Sequence, residues 1–201
     1  MQSFRGLESL WKHRNQVTES VRIQSYKAIV ESVLLYNCAT WALTVSLADR
    51  LDRAQRKMLR RVLGLKWSDK VTNANLYDRC GILPASVQTL YARWRMFGHT
   101  LRLGEDTPAR QAMASYFDRS FDGRQGNFIT IATALSREYK STFNKPISTR
   151  AEYDSIQLLA QDRDAWKLLV GDVLEKHCEV QAAKVLRQTE AHKARSTSVH
   201  Q

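Results

Sequence analysis

Apolar residues recur along most of the chain at intervals of three and four, the spacing that places them on one side of an α-helix. Only three prolines and eight glycines interrupt the 201 residues. No turn dipeptide lies between alternating apolar runs, so no β-hairpin is predicted. The sequence therefore predicts a mainly α protein: a helical bundle with a helical C-terminal extension.

The start and stop signals of helices divide this pattern into segments. Thr18 is a suitable N-cap, and Gly64 and Gly81 suit the left-handed conformation that ends a helix. The last helix would break at Gly171. The predicted helices cover residues 18–35, 46–63, 73–80, 84–103, 127–141 and 150–189.

Two of these helices have a well-defined apolar side. One side of the first would be lined by Val21, Ser25, Ile29, Val33 and Tyr36. One face of the helix over 84–103 would consist of Val87, Leu90, Trp94, Phe97 and Leu101. The second set, with large side chains at regular helical spacing, predicts a core position for Trp94.

Turn residues suggest where the chain divides. Gly104, Pro108, Gly123 and Gly126 concentrate between two helical regions, which is typical of a linker. The predicted organisation is a basic helical region over 1–104, a linker over 105–127, a helical extension over 128–189 and a polar tail over 190–201.

The positive charge is concentrated in the first half of the chain. The formal net charge is +11. Residues 1–104 contain 17 Lys and Arg against 7 Asp and Glu, whereas residues 105–201 contain 14 against 13. Such asymmetry predicts a polyanionic partner for the first half, nucleic acid before membrane, with a merely solvated basic surface as the alternative.

The helix over 46–63 has the sharpest local pattern. Its predicted apolar side consists of Leu47, Leu51, Ala54, Met58 and Val62. The opposite side consists of Arg50, Arg53, Lys57, Arg60 and Arg61, with Arg56 beside them. Asp52 is the only acid between Arg50 and Lys66, so pairing within the helix cannot neutralise these cations. The clustering favours binding to a phosphate backbone.

Other basic residues extend this candidate surface, and one aromatic residue adjoins it. Trp67 follows a basic turn and suits core packing and base stacking about equally. The full set of candidate nucleic-acid-binding residues is Arg50, Arg53, Arg56, Lys57, Arg60, Arg61, Lys66, Arg93, Arg95 and Arg102.

The sequence lacks the residues that several other functions require. Nucleotidyl transfer needs two carboxylates that hold a pair of Mg²⁺ ions, and the sequence has no Asp-Asp pair. His177-Cys178 has no C-x₂-C partner, so no zinc site is predicted. The sequence also predicts no other metal, no cofactor and no small-molecule substrate. Three scattered cysteines and the lack of a long apolar run predict an intracellular protein, nuclear or cytoplasmic, that is neither secreted nor membrane-spanning.

Four strings of the sequence carry a resemblance. They are SLWKHRNQVTESVRIQSYKAIVESVLLYNCATWALT from Ser9, RLDRAQRKMLRRVLGLKWSDKVTN from Arg50, RWRMFGHTLRL from Arg93 and AQDRDAWKLLV from Ala160. In order and spacing they resemble the region after the palm in the reverse transcriptases of non-LTR retrotransposons (long interspersed elements). Together they comprise 82 of the 201 residues, about two fifths of the chain. Asn37, Ala39 and Thr100 depart from that family's usual residues.

The resemblance implies a thumb-like helical region that holds the primer–template duplex. It implies contact with the backbone of an RNA–DNA or DNA duplex, with little sequence preference, and a structural role for Gly98-His99 in which the glycine permits close packing. The palm with its paired catalytic aspartates is not among these residues. A host nucleic-acid-binding or regulatory protein derived from such an element, and a relic reading frame without function, remain alternatives.

We expect no polymerase activity from this chain, because no two carboxylates are placed to hold two metal ions. Primer extension on an RNA template, with Mg²⁺ and with Mn²⁺, measures this. Template-dependent product above that of a mock preparation would contradict the expectation.

Overall fold

The computed structural model describes residues 2–13, 15–122 and 129–198, which form helices joined by turns, with no β-strand in these ranges. The predicted mainly α class and helical bundle are confirmed. The helices are α1 (Gln2–Gly6), α2 (Glu8–Lys12), α3 (Glu19–Ser25), α4 (Ser32–Leu34), α5 (Val45–Leu63), α6 (Asn73–Cys80), α7 (Ala85–Leu101), α8 (Pro108–Phe121), α9 (Ile131–Phe143), α10 (Arg150–Gln161) and α11 (Arg163–Ser198). A π-helical segment, Tyr26–Glu31, joins α3 to α4.

Threonine side chains begin several of these helices. The hydroxyl of Thr18 accepts a hydrogen bond from the N–H of Val21, and Thr72 caps α6 in the same way through Asn75. Such caps satisfy N–H groups that have no partner inside the helix. The predicted starts and ends of the helices up to α7 agree with the structure to within two residues.

Two compact units divide the chain, Met1–Arg93 and Trp94–Gln201, and the division falls inside α7. The first unit has a core around Tyr26, Leu59 and Val62, which α1 and α2 extend with Phe4 and Trp11. The rings of Phe4 and Trp11 stack at 5.4 Å, and the indole N–H of Trp11 donates to the carbonyl of Phe4. The start and stop signals of the sequence predict no helix in this N-terminal stretch.

One predicted helix side faces solvent. Val21, Ile29 and Val33 are exposed, whereas Arg22, Tyr26 and Val30 are buried. The buried side contributes Tyr26 and Val30 to the core of the first unit, and Arg22 beside them donates to the carbonyl of Val62 near the end of α5. These contacts together place this side, rather than the aliphatic one, against the core.

In the second unit, α9 and α10 each pack against both α8 and α11. The predicted face of α7 is confirmed, because Val87, Leu90, Trp94, Phe97 and Leu101 are all buried. Its aromatic members join a cluster with ring centroids 5.9 Å apart for Trp94 and Trp166 and 5.6 Å apart for Phe97 and Phe117.

The predicted linker and tail both contain helix in their described residues. The helix α8 occupies most of 105–127 and begins at Pro108. Proline suits the first position of a helix because an N–H there would have no partner within the helix. Residues 123–127 lie outside the described part of the chain. The helical break expected at Gly171 occurs at Asp162, whose carboxylate accepts from the N–H groups of Asp164 and Ala165. Helix α11 then continues to Ser198, through most of the predicted tail over 190–201.

Gly98 permits close packing, as predicted. A Cβ at this position would lie 2.2 Å from the indole nitrogen of Trp166, a distance that real side chains do not tolerate. A Cβ at Gly171, in the middle of α11, would meet no atom of the described residues within 4 Å.

Replacing Gly98 by Ala should therefore destabilise the protein by about 1–3 kcal/mol through overpacking. The matched variant Gly171→Ala should stabilise α11 by up to about 1 kcal/mol, because alanine is the better helix former. Urea denaturation followed by circular dichroism measures both. Equal shifts of the two midpoints would refute the packing role of Gly98.

Candidate nucleic-acid interface

Capping residues define where helix α5 begins and ends. The hydroxyl of Thr44 accepts from the N–H of Leu47 at 3.1 Å, which caps the start of the helix. Gly64 ends it with φ of 72°, a left-handed conformation that glycine adopts without strain. These two residues bound the segment that carries most of the candidate binding residues.

The buried side of α5 differs in part from the predicted one. Met58 and Val62 are buried as expected, but Leu47 is 44% exposed. The core side includes two polar residues that the apolar pattern had left out, Asp52 and Gln55. The helix is thus rotated about its axis so that its polar side chains also point inward.

Asp52 and Gln55 are buried because they cap α7. The Asp52 carboxylate accepts from the N–H of Ser86 at 2.9 Å and from its hydroxyl at 2.7 Å. The amide oxygen of Gln55 accepts from the N–H of Ala85 at 2.8 Å. These N–H groups open α7 and have no partner within it, and the helix dipole favours a carboxylate at that end.

A second layer of hydrogen bonds holds Gln55 in place. Its amide nitrogen donates to the Glu31 carboxylate at 3.1 Å and to the carbonyl of Leu83 at 3.2 Å. Gln88 donates to the same two acceptors. The start of α7, the π-helical segment and α5 are therefore joined by one polar network.

With the acid turned inward, the outward side of α5 is cationic. Arg50, Arg53, Lys57 and Arg61 are exposed and follow one another at three- and four-residue intervals, so they form one row. This row, the basic strip, extends over roughly 16 Å at 1.5 Å per residue. Duplex DNA carries one phosphate charge per ~1.7 Å of its axis, so several phosphates fit against the strip.

The members of the strip differ in their partners. Arg61 forms an ion pair with Glu8 of α2 and lies over the Phe4 ring at 5.9 Å. The hydrogen bond from Arg61 lowers the pKa of the Glu8 carboxyl. Arg53 donates to the carbonyl of Asp49 at 3.3 Å. Lys57 forms no ion pair within the part of the chain that the structure describes.

Arg56 and Arg60 flank the strip and are half-buried. Arg60 donates to the carbonyl of Val71 at 3.3 Å and to the Asn73 side chain at 2.9 Å, which joins α5 to the start of α6. Burial raises the pKa of Tyr77 on α6, because it disfavours the phenolate, and Arg56 lies close enough to oppose that shift. Arg60 therefore serves the fold as well as the surface.

The remaining candidates fall in different places. Lys66 is exposed just beyond α5. Arg93 is only 2% exposed, and its guanidinium donates to the carbonyl of Trp41 at 2.6 Å, so it does not contribute to the surface. Arg95 and Arg102 belong to the second unit; Arg95 is exposed, and Arg102 donates to the carbonyl of Ala160 at the end of α10.

Trp67 and Lys70 are surface residues that the candidate set lacked. Trp67 is 95% exposed, so it does not pack in the core, which was one of its two predicted roles. Lys70 is exposed close to it. Their signal in the sequence was a tryptophan between two lysines in a segment too short and polar to form a core helix.

In the described ranges, no group of three or more His, Cys, Asp or Glu side chains is placed to hold a metal ion. Among the helices described, none has the length and apolarity needed to cross a membrane. Cys38 and Cys80 are buried free thiols. Burial raises the pKa of Cys80 to about 11, so this thiol is protonated at neutral pH.

Comparisons of the chain with models of protein families, with curated proteins and with solved structures found no match.

The capping role of Asp52 leads to a test of stability. Replacing Asp52 by Asn removes the charge that faces the start of α7 and should lower the free energy of unfolding by about 1–2 kcal/mol. Urea denaturation measures the change. Asp172, exposed on α11, offers the same substitution as a control with an expected effect below about 0.5 kcal/mol. A loss no greater than that of the control would mean that the carboxylate does not stabilise α7.

Proposed function

We propose that this protein binds the phosphate backbone of a nucleic-acid duplex through the basic strip of α5. In this proposal these residues are the nucleic-acid-binding part of a non-LTR retrotransposon reverse transcriptase. The observation that carries the proposal is the inward orientation of Asp52. The one acid between Arg50 and Lys66 is engaged at the start of α7 and does not pair with the cations of the strip.

The charge of the first unit supports a polyanionic partner. Residues 1–93 contain 15 Lys and Arg against 7 Asp and Glu, a net charge of +8. Two of the seven acids, Glu8 and Glu19, are paired with Arg61 and Arg79. Asp52 is buried. Glu8 reduces the charge of the strip at Arg61, and the excess of cations in this unit still gives a positive potential, which accelerates and strengthens binding to nucleic acid.

Packing in the second unit is compatible with the resemblance. Two of the four strings that carry it meet in the fold, because Gly98 of one string lies against Trp166 of the other. Trp94, from the same string as Gly98, packs on Trp166 as well. A shared packing requirement gives a physical reason why Gly98 and Trp166 would occur together.

A backbone-binding surface implies particular partners. The strip offers guanidinium and ammonium groups, which contact phosphates without reading bases, so DNA and RNA–DNA duplexes of different sequence should bind alike. The proposed role is not enzymatic, needs no cofactor and would be exercised in the nucleus or the cytoplasm. A host protein derived from such an element would use the same surface.

Replacing Arg50, Arg53 and Lys57 together by Gln tests the strip. These three are chosen because Arg60 and Arg61 also stabilise the fold. Binding to blunt duplexes should weaken for every sequence. The log–log dependence of the binding constant on salt should flatten by about 2.7 units, at about 0.9 per phosphate contact on duplex DNA. Fluorescence anisotropy between about 50 and 200 mM salt measures both quantities.

A matched control removes the same charge elsewhere. Arg119, Lys140 and Arg163 are exposed in the second unit, and their replacement by Gln should leave the salt dependence close to that of the unmodified protein. Similar losses in both triple variants would show that only total charge matters. A strip variant that stays folded and binds with unchanged affinity and slope would sink the proposal.

A further inference from the structure

The segment between α5 and α6 is a short turn with a defined shape. The N–H of Lys66 donates to the Asp69 carboxylate at 2.7 Å, and the N–H of Lys70 donates to the carbonyl of Trp67 at 3.3 Å. Lys70 adopts φ of 49°, the left-handed region, which is uncommon for a residue other than glycine. Both ends of the turn are thus held by hydrogen bonds, and its middle residues project outward.

Trp67 is the first of these projecting residues. Its side chain is 95% exposed, whereas Trp11, Trp94 and Trp166 are each at most 4% exposed. Burying an indole gives one of the largest apolar stabilisations that a side chain can supply. The exposed ring of Trp67 does not stabilise the fold in this way. Its position is explained if a partner covers it.

Beside Trp67 lies an open pocket of about 540 Å³, a volume in the range of small-ligand sites. Its lining, within the described part of the chain, combines apolar surface with three cationic side chains and contains no acid. The lining residues are Arg60, Leu65, Lys66, Trp67, Lys70 and Val71.

The turn contains one acid, Asp69, whose carboxylate forms hydrogen bonds within the turn. Asp69 accepts from the N–H of Lys66 and from the Ser68 hydroxyl. Arg60 is held at the pocket wall by its bonds to Val71 and Asn73. Lys66 and Lys70 form no ion pair with any acid in the ranges that the structure describes.

An aromatic face bordered by cations matches one chemistry well. A nucleobase stacks on an indole whatever its identity, and the adjoining phosphates bind ammonium groups. In the interior of a duplex both faces of each base are stacked on neighbours, so away from a duplex end it is an unpaired nucleotide that can present a base face to Trp67.

We propose that this pocket binds an unpaired nucleotide of single-stranded nucleic acid, with the base on Trp67 and the phosphates on Lys66 and Lys70. The inference deepens the proposed function and rests on it, because the pocket begins where the basic strip of α5 ends. A duplex on the strip would then continue into a single strand at the pocket.

The test compares Trp67→Leu, Trp67→Phe and the unmodified protein on a labelled oligothymidylate and on a blunt duplex. Because Trp67 is exposed, its replacement should leave the fold intact, as circular dichroism will verify. Trp67→Leu should bind the oligothymidylate about tenfold more weakly, a typical loss for one stacked base. Trp67→Phe keeps an aromatic face and should lose less than about threefold. Neither variant should change binding to the blunt duplex.

Two further readouts distinguish base stacking from binding by charge alone. Oligothymidylate should quench the tryptophan fluorescence of the unmodified protein, and Trp67→Leu should lose most of that quenching. Replacing Lys66 and Lys70 by Gln should flatten the salt dependence on the single strand by about 1.4 units, at about 0.7 per contact. Unchanged binding of Trp67→Leu to oligothymidylate, or an equal loss on the blunt duplex, would overturn the pocket assignment.

The outcome is distinguishable from failure of the proposed function. If the strip variant of α5 binds blunt duplex normally while Trp67→Leu loses oligothymidylate, the duplex proposal fails and the pocket stands. If the strip variant loses binding to the blunt duplex while Trp67→Leu binds oligothymidylate normally, the pocket assignment fails and the duplex proposal stands.

Discussion

Helix α5 presents its cations to solvent because its polar side chains Asp52 and Gln55 are tied to the first N–H groups of α7. A carboxylate buried without partners would be costly, and here it meets two donors from Ser86 at a helix end whose dipole favours negative charge. Since these bonds fix the rotation of α5 about its axis, they also determine which residues face outward. The exposure of the basic strip therefore follows from the same hydrogen bonds.

The arginines of this protein show how one side-chain type is divided between folding and surface. Arg22 and Arg93 are buried and donate to backbone carbonyls of Val62 and Trp41. Arg60 joins two helices, while Arg50 is exposed. A long chain with a planar, multiply donating head suits carbonyls that no backbone N–H reaches, so a count of basic residues overstates the charge available to a partner.

Local signals in the sequence predicted local structure well. Gly64 and Thr18 marked helix ends through backbone geometry and capping, which depend on near neighbours only. The face of α7 followed from the spacing of large apolar side chains. The buried side of α5 could be predicted only in part, because Asp52 finds its partner 34 positions away and no pattern within the helix reveals it. Likewise, Pro108 can either begin a helix or stand in a linker, and packing decided between them.

The exposed apolar side of α3, the π-helical segment and α4 has a consequence for the protein in solution. Val21, Ile29 and Val33 present aliphatic surface to water, and the net charge of +11 keeps molecules apart by mutual repulsion. Added salt screens that repulsion within about 10 Å at 0.1 M and leaves the attraction between apolar surfaces intact. Colloidal stability therefore depends on ionic strength in the same direction as binding to a polyanion: the salt that strips nucleic acid from the protein also removes its protection against self-association.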